Sequence, residues 1–90
     1  MRKVWADSAW EEYLSWQGQD PKVVKRINQL IRECERTPFT GTGKPEPLHG
    51  SRSGWWSRRI TGEHRLVYAI SGKGVAQSIE IAQCRGHYDD

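Results

Sequence analysis

Apolar side chains recur at threes and fours from Val23 to Cys34, at Val23, Val24, Ile27, Leu30, Ile31 and Cys34. Lys22, Lys25, Arg26, Asn28, Gln29 and Arg32 fill the positions between them. That spacing predicts a helix with one face for a core and the other for water. Asp20-Pro21 marks its start, a capping carboxylate followed by proline at the first helical position, where the missing N–H costs nothing. Thr37-Pro38 marks its end. A less regular helical spacing runs through Ala9, Trp10, Tyr13, Leu14 and Trp16 until Gly18. Asp7 or Ser8 is placed to cap it, and Glu11 and Glu12 stand near the positive end of its dipole. The connection between the two is so short that they should form a helical hairpin. Ahead of them, Lys3-Val4-Trp5 reads as an edge strand.

After a long aperiodic stretch, the second half of the chain reads as strands. Trp55 to Ile60, Arg65 to Ile70 and Gln77 to Cys84 are separated by Thr61-Gly62-Glu63 and Ser71-Gly72-Lys73-Gly74, which predicts an antiparallel meander. A three-residue hairpin loop at Thr61-Gly62-Glu63 would pair Ile60 with His64, Arg59 with Arg65, Arg58 with Leu66 and Trp56 with Tyr68. Trp56, Ile60, Leu66, Tyr68 and Ile70 then face the helices, with Arg58 at their margin. Ser57, Arg59, Arg65, Val67 and Ala69 face the other way. Two arginines side by side weaken a sheet unless an anion, a carboxylate or water answers them. The segment from Thr37 to Gly54 holds Pro38, Pro45 and Pro47 with Gly41, Gly43, Gly50 and Gly54, and a loop that long in a small domain points to function. The expected fold is α+β: two N-terminal helices on a twisted antiparallel sheet of about four strands with an N-terminal edge strand, one domain over residues 1–90.

Composition narrows the setting. Ninety residues allow one modest core. No apolar run approaches the roughly 18 residues of a membrane span, and no hydrophobic signal segment follows Met1, so no membrane partner and a cytoplasmic location are expected. Cys34 and Cys84 then read as buried reduced thiols. With His49, His64 and His87 they show no ligand spacing, so neither a metal nor another cofactor is expected. The formal charge is +3. Lys44, Arg52, Arg58, Arg59 and Arg65 stand against Glu46 and Glu63 between Gly41 and Arg65, so that stretch alone accounts for the excess and should attract anions. Guanidinium groups predominate there, and they suit bidentate contacts to phosphate. Of the tryptophans, Trp10 and Trp56 are the core candidates, while Trp5, Trp16 and Trp55 suit either a core or a stacking surface.

Several motifs carry a resemblance to a known family. Glu35-Arg36-Thr37-Pro38-Phe39, Gly41-Thr42-Gly43-Lys44-Pro45-Glu46-Pro47-Leu48, Gly54-Trp55-Trp56-Ser57-Arg58-Arg59-Ile60, Glu63-His64-Arg65-Leu66-Val67-Tyr68 and Cys84-Arg85-Gly86-His87-Tyr88 resemble the YoeB (Txe) toxins of bacterial type II toxin-antitoxin systems, within the RelE/ParE superfamily and its microbial-RNase-like fold. The likeness covers nearly the whole chain. It implies an mRNA interferase that enters the A site of the 70S ribosome, against ribosomal RNA, and cuts translated mRNA. A YefM-like antitoxin would neutralise it, and operator DNA would be met only through the antitoxin complex. Carried over by position, Glu46 matches the general base, Arg65 the transition-state arginine, His87 the general acid and Tyr88 the C-terminal active-site aromatic. Lys44, Arg58 and Arg59 match positions expected to touch RNA or ribosomal phosphates, and His49 is a further RNA contact in the same loop. Gly86 stands where the family usually has an aromatic.

Metal-free cleavage of RNA needs a base for the 2′-hydroxyl, an acid for the departing 5′-oxygen and a cation for the charge that grows on phosphorus. Glu46, His87 and Arg65 supply one of each, and histidine side chains titrate close enough to neutrality to donate. The expected products are a 2′,3′-cyclic phosphate or 3′-phosphate and a 5′-hydroxyl. His64, on the packed side of its strand, reads as structural. Two other readings keep the fold and drop this chemistry. One is a catalytically weak protein that acts as an antitoxin-binding and autoregulatory partner, and the other a gyrase inhibitor of the ParE kind. An exposed patch including Trp10 or Trp16 would serve a homodimer or an antitoxin contact.

Overall fold

A computed structural model describes residues 1–87. Its elements run β1 (Arg2–Trp5), α1 (Asp7–Gln19), α2 (Pro21–Arg36), β2 (Glu46–Pro47), β3 (Trp56–Arg59), β4 (Arg65–Ser71) and β5 (Ser78–Gln83), with short 3-10 turns at Gly50–Arg52 and Gly74–Ala76. The sheet has five strands in the order β1-β5-β4-β3-β2. Neighbours are antiparallel except β1, which lies parallel to β5 with Trp5 beside Ile81. This is the α+β, RelE/ParE-like arrangement the sequence implied, with a mixed sheet.

The helical hairpin follows its sequence closely at one end and less so at the other. The Asp20 carboxylate accepts from the Lys22 amide at 3.1 Å and opens α2, and Pro21 is its first residue. At α1 the cap falls on Ala6, with Asp7 already inside the first turn, so neither Asp7 nor Ser8 caps it. The helix also continues through Gly18 to Gln19. Val23, Ile27, Leu30, Ile31 and Cys34 of α2 are buried against Leu66, Tyr68, Ile79 and Ile81 of the sheet, with Ala9 and Trp16 of α1 beside them. Trp10 is not in this core: it is 42% exposed and packs on Trp5 and Tyr13. A groove of about 620 Å³ there is lined by side chains of β1, α1 and α2. Among the described residues no helix is long and apolar enough to cross a membrane.

Part of the proline-rich segment is strand. Backbone bonds join Arg59 N–H to the Gly43 carbonyl at 2.7 Å and Leu48 N–H to the Trp55 carbonyl at 2.9 Å, either side of the Glu46–Ser57 and Pro47–Trp56 pairs. Pro45 and Pro47 suit such a margin, since an edge strand can spare the amide donors that proline lacks. Gly43 has φ +87°, and a Cβ there would come within 3.0 Å of Leu30 and 3.2 Å of Arg58. The segment after β2 then turns over the sheet face opposite the helices. Leu48 is buried, and so are Ser57 and Val67 on that face.

Candidate active site

The hairpin register places the candidate groups. Arg59 pairs with Arg65, Arg58 with Leu66, Ser57 with Val67 and Trp56 with Tyr68, while Ile60 N–H bonds the His64 carbonyl at 2.9 Å. Directly paired residues share a face. Glu46, paired with Ser57, therefore lies on the same face as Arg59 and Arg65, the face turned away from the helices. Glu46 and Arg65 stand two strands and one rung apart, about 12 Å between backbones at ordinary sheet spacing. Both Glu46 and Arg59 are exposed, and Arg65 is half-buried. Among the described residues neither arginine makes an ion pair. The Arg65 guanidinium instead donates through Nη1 to the carbonyls of Thr61, Gly62 and His64, at 2.9, 3.1 and 3.2 Å. The turn carbonyls thus hold this cation with no carboxylate to neutralise it.

Strand β5 delivers the tail to the same place. A β-bulge displaces its end, so Tyr68 pairs with Ile81 and the next residue, Val67, pairs with Gln83. Beyond it, the Arg65 amide donates to the Gly86 carbonyl at 3.0 Å, which lays the tail along β4 next to Arg65. Further contacts fix it. The Trp16 indole N–H donates to the Cys84 carbonyl at 3.0 Å, and the Cys84 amide donates to the Glu12 carboxylate at 2.8 Å. Arg85 stacks over the Trp16 ring at 3.7 Å, and its Nη2 reaches Ser15 and Gln19. Gly86 N–H donates to His64 Nδ1 at 2.7 Å. Gln83 closes the turn, its amide donating to the carbonyls of Arg85 and His87 at 3.1 and 2.8 Å. His87 itself is exposed. Tyr88 lies outside the described residues.

Arg58 corrects the expectation of an RNA contact. It has no exposed surface, because strand alternation turns it toward the helices. Its Nε donates to the Tyr68 hydroxyl at 3.1 Å, its Nη1 to the Thr42 carbonyl at 2.9 Å, and its Nη2 to the carbonyls of Thr40, at 3.0 Å, and Thr37. The Tyr68 hydroxyl in turn donates a hydrogen bond to the Pro38 carbonyl at 2.6 Å. Arg58 thus ties down the chain from Thr37 to Thr42, just ahead of Lys44 and Glu46. Lys44 is exposed with φ 51°, a left-handed backbone, and His49 is exposed on the following loop.

A small cleft of about 140 Å³ opens on this face between Arg52, Trp55, Val67, Ala82 and Gln83. Sequence reasoning did not single out Glu12 or Trp16 as supports of the tail, because they act across 72 and 68 residues of chain, nor Gln83, whose contacts to Arg85 and His87 are local but belong to no recognisable motif. Both thiols are free and buried. Burial pushes Cys84 up to about 12, with the Glu12 carboxylate adding to the rise and Arg85 opposing it, and burial also raises Cys34. Among the described residues no cluster of His, Cys, Asp or Glu could hold a metal ion.

The family model of the YoeB-like toxin of bacterial type II toxin-antitoxin systems matches residues 5–88. Toxin YoeB of Escherichia coli K12 is 53% identical over 88 residues, covering 98% of this chain and all of that protein. Among solved structures, the YoeB/ParE toxin from Agrobacterium tumefaciens superposes with a TM-score of 0.96 at 56% identity, over 98% of this chain and all of that one. The heterotetrameric YoeB-YefM toxin-antitoxin complex from Staphylococcus aureus contains a chain that superposes at 0.87 with 39% identity, over 98% of each chain.

Proposed function

Because the chain belongs to the YoeB-like toxins of the RelE/ParE superfamily, we propose that it is a ribosome-dependent endoribonuclease that cuts translated mRNA in the A site. The observation that carries this reading is the shared sheet face of Glu46, Arg59 and Arg65, with the tail bearing His87 hydrogen-bonded beside Arg65. Glu46 takes the proton of a ribose 2′-hydroxyl, and the freed oxygen attacks the adjoining phosphorus. Arg65 holds the charge that builds on the phosphoryl oxygens, using Nε and Nη2, which have no other partner among the described residues. His87 gives its proton to the departing 5′-oxygen, and Tyr88 supports the same end of the site. A 2′,3′-cyclic phosphate and a 5′-hydroxyl result, with no cofactor needed. Lys44, Arg59 and His49 line the approach of the RNA backbone and the surrounding ribosomal RNA.

The protein works in the cytoplasm, where ribosomes are. Its cognate inhibitor is a YefM-like antitoxin carrying an acidic segment that folds over the basic face, and operator DNA is met only through that complex. The test is cleavage mapped by primer extension in a translating extract. The parent should give codon-linked cuts, and Arg65→Ala should lower their rate by about 100-fold or more, the usual cost of losing a transition-state donor. Glu46→Ala and His87→Ala should also slow cutting. Equal cutting by all three variants would refute the mechanism, and a parent that binds antitoxin but cuts nothing would leave a binding partner alone.

A further inference from the structure

The bond from the Gly86 N–H to His64 Nδ1, 2.7 Å long, has a chemical requirement. An imidazole nitrogen can accept only when it carries no proton, so His64 must be neutral with its hydrogen on Nε2. Nε2 lies 3.4 Å from the Glu63 carboxylate, a partner that suits an N–H donor there. The ring stands edge-on to Trp16, with centroids 4.8 Å apart. The remaining charged or titratable neighbours are occupied. Arg65 donates to the carbonyl of His64, Glu12 accepts from the Cys84 amide, the Cys84 thiol points at the Ala9 carbonyl, and Arg85 lies over Trp16. A second proton on His64 would set two donors face to face at Gly86, one residue before His87. Gly86 has φ +85° and no side chain to pack, so it is held by two backbone bonds, its carbonyl accepting from the Arg65 amide at 3.0 Å and its N–H donating to His64.

We infer that His64 is a positioning residue, a proton-sensitive clasp that in its neutral Nε2-H form holds Gly86 and so presents His87, and that lets the tail go when it takes up a second proton. The effect on cutting rests on the catalytic reading of His87, whereas the clasp itself does not. It adds to the acid side of the cleavage profile a decline that follows His64, separate from the one set by protonation of the general base Glu46.

The full chain, labelled with 15N, separates the two. As pH falls, the His64 nitrogens should report protonation at Nδ1, and the protection of the Gly86 amide, its exchange rate taken relative to that of an unprotected amide at the same pH, should fall over the same interval. Gly86 exchange that ignores His64 would overturn the inference, and this reading needs no substitution to fold. In the cleavage assay, His64→Asn places an oxygen acceptor that cannot gain a proton near the position of Nδ1. It should keep the parent rate within about threefold at alkaline pH and begin its acid-side decline at lower pH than the parent, where only Glu46 protonation remains. His64→Leu should lower kcat by about tenfold with KM little changed, the upper range for one hydrogen bond. An acid-side decline at the same pH in His64→Asn as in the parent would also overturn the inference. A clasp that titrates as described while His87→Ala cuts like the parent would instead refute the catalytic role of His87.

Discussion

Arg58 and Arg59 are neighbours in sequence with opposite surroundings, because successive residues of a strand face opposite sides of the sheet. Arg59 reaches solvent on the open face. Arg58 is enclosed, and backbone carbonyls and one phenol take up its donors. A planar fork is suited to this, and a lysine ammonium could not reproduce it. Arg58→Leu strands the carbonyls of Thr37, Thr40 and Thr42 and should cost about 3 to 5 kcal/mol, since each buried carbonyl left without a donor costs about 1 to 3 kcal/mol. Arg58→Lys should recover only part of that, while Arg59→Ala should stay within about 0.5 kcal/mol of the parent. Urea unfolding followed by tryptophan fluorescence measures all three, and an Arg58→Leu protein as stable as the parent would contradict this account. The alternation was readable before the structure, since the three-residue turn fixed which arginine pairs with Arg65. What Arg58 binds was not, because its partners are loop carbonyls from 16 to 21 residues away and a phenol 10 residues away.

Among the elements, α1 does more than cover the sheet. Through Glu12, Ser15, Trp16 and Gln19 it grips Cys84 and Arg85, so helix packing and tail placement are one set of contacts. Trp16→Phe keeps most of the apolar bulk but removes the indole donor to the Cys84 carbonyl, and it narrows the ring beneath Arg85. It should lower stability by about 1 to 2 kcal/mol and should also reduce hydrogen-exchange protection at residues 84–87 more than at β3. Uniform loss of protection would mean that the tail is not held separately by the helix. The helices and the β3–β4 hairpin were readable from local pattern: α2 from its spacing of threes and fours, the hairpin from Gly62 in a short polar turn. Non-local features were not. Strand β2 is two residues long with prolines on both sides of Glu46, so it carries no alternation to read. Trp10 failed as a core candidate because α1 turns it outward onto Trp5 and Tyr13, and apolar identity alone does not fix helix phase.

At the scale of the molecule, the buried acids set the alkaline limit. Burial raises the Cys84 thiol from 9.0 to about 12 and the Tyr68 phenol from 10.0 to about 12, against the opposing pull of Arg58 on the latter, and Cys34 rises too. In the unfolded chain these groups ionise at their ordinary values. Their contribution is therefore complete below about pH 9 and is lost as pH climbs toward the folded values, because only the unfolded state sheds the protons over that interval. The urea midpoint should hold steady from pH 7 to about 9 and then decline, and Cys84→Ala should flatten the first part of the decline. A midpoint that begins to fall well below pH 9 would point to another group.

The parallel pairing of β1 with β5 joins the first residues of the chain to its last strand. Arg2 sits beside Ser78 and Trp5 beside Ile81, so the far edge of the sheet stays unfilled until β5 has been synthesised, and the segment that bears His87 emerges later still. Such a nascent chain has no finished blade while most of it is being made. On the proposed reading, the catalytic face is complete only once the last strand and the tail behind it have been made.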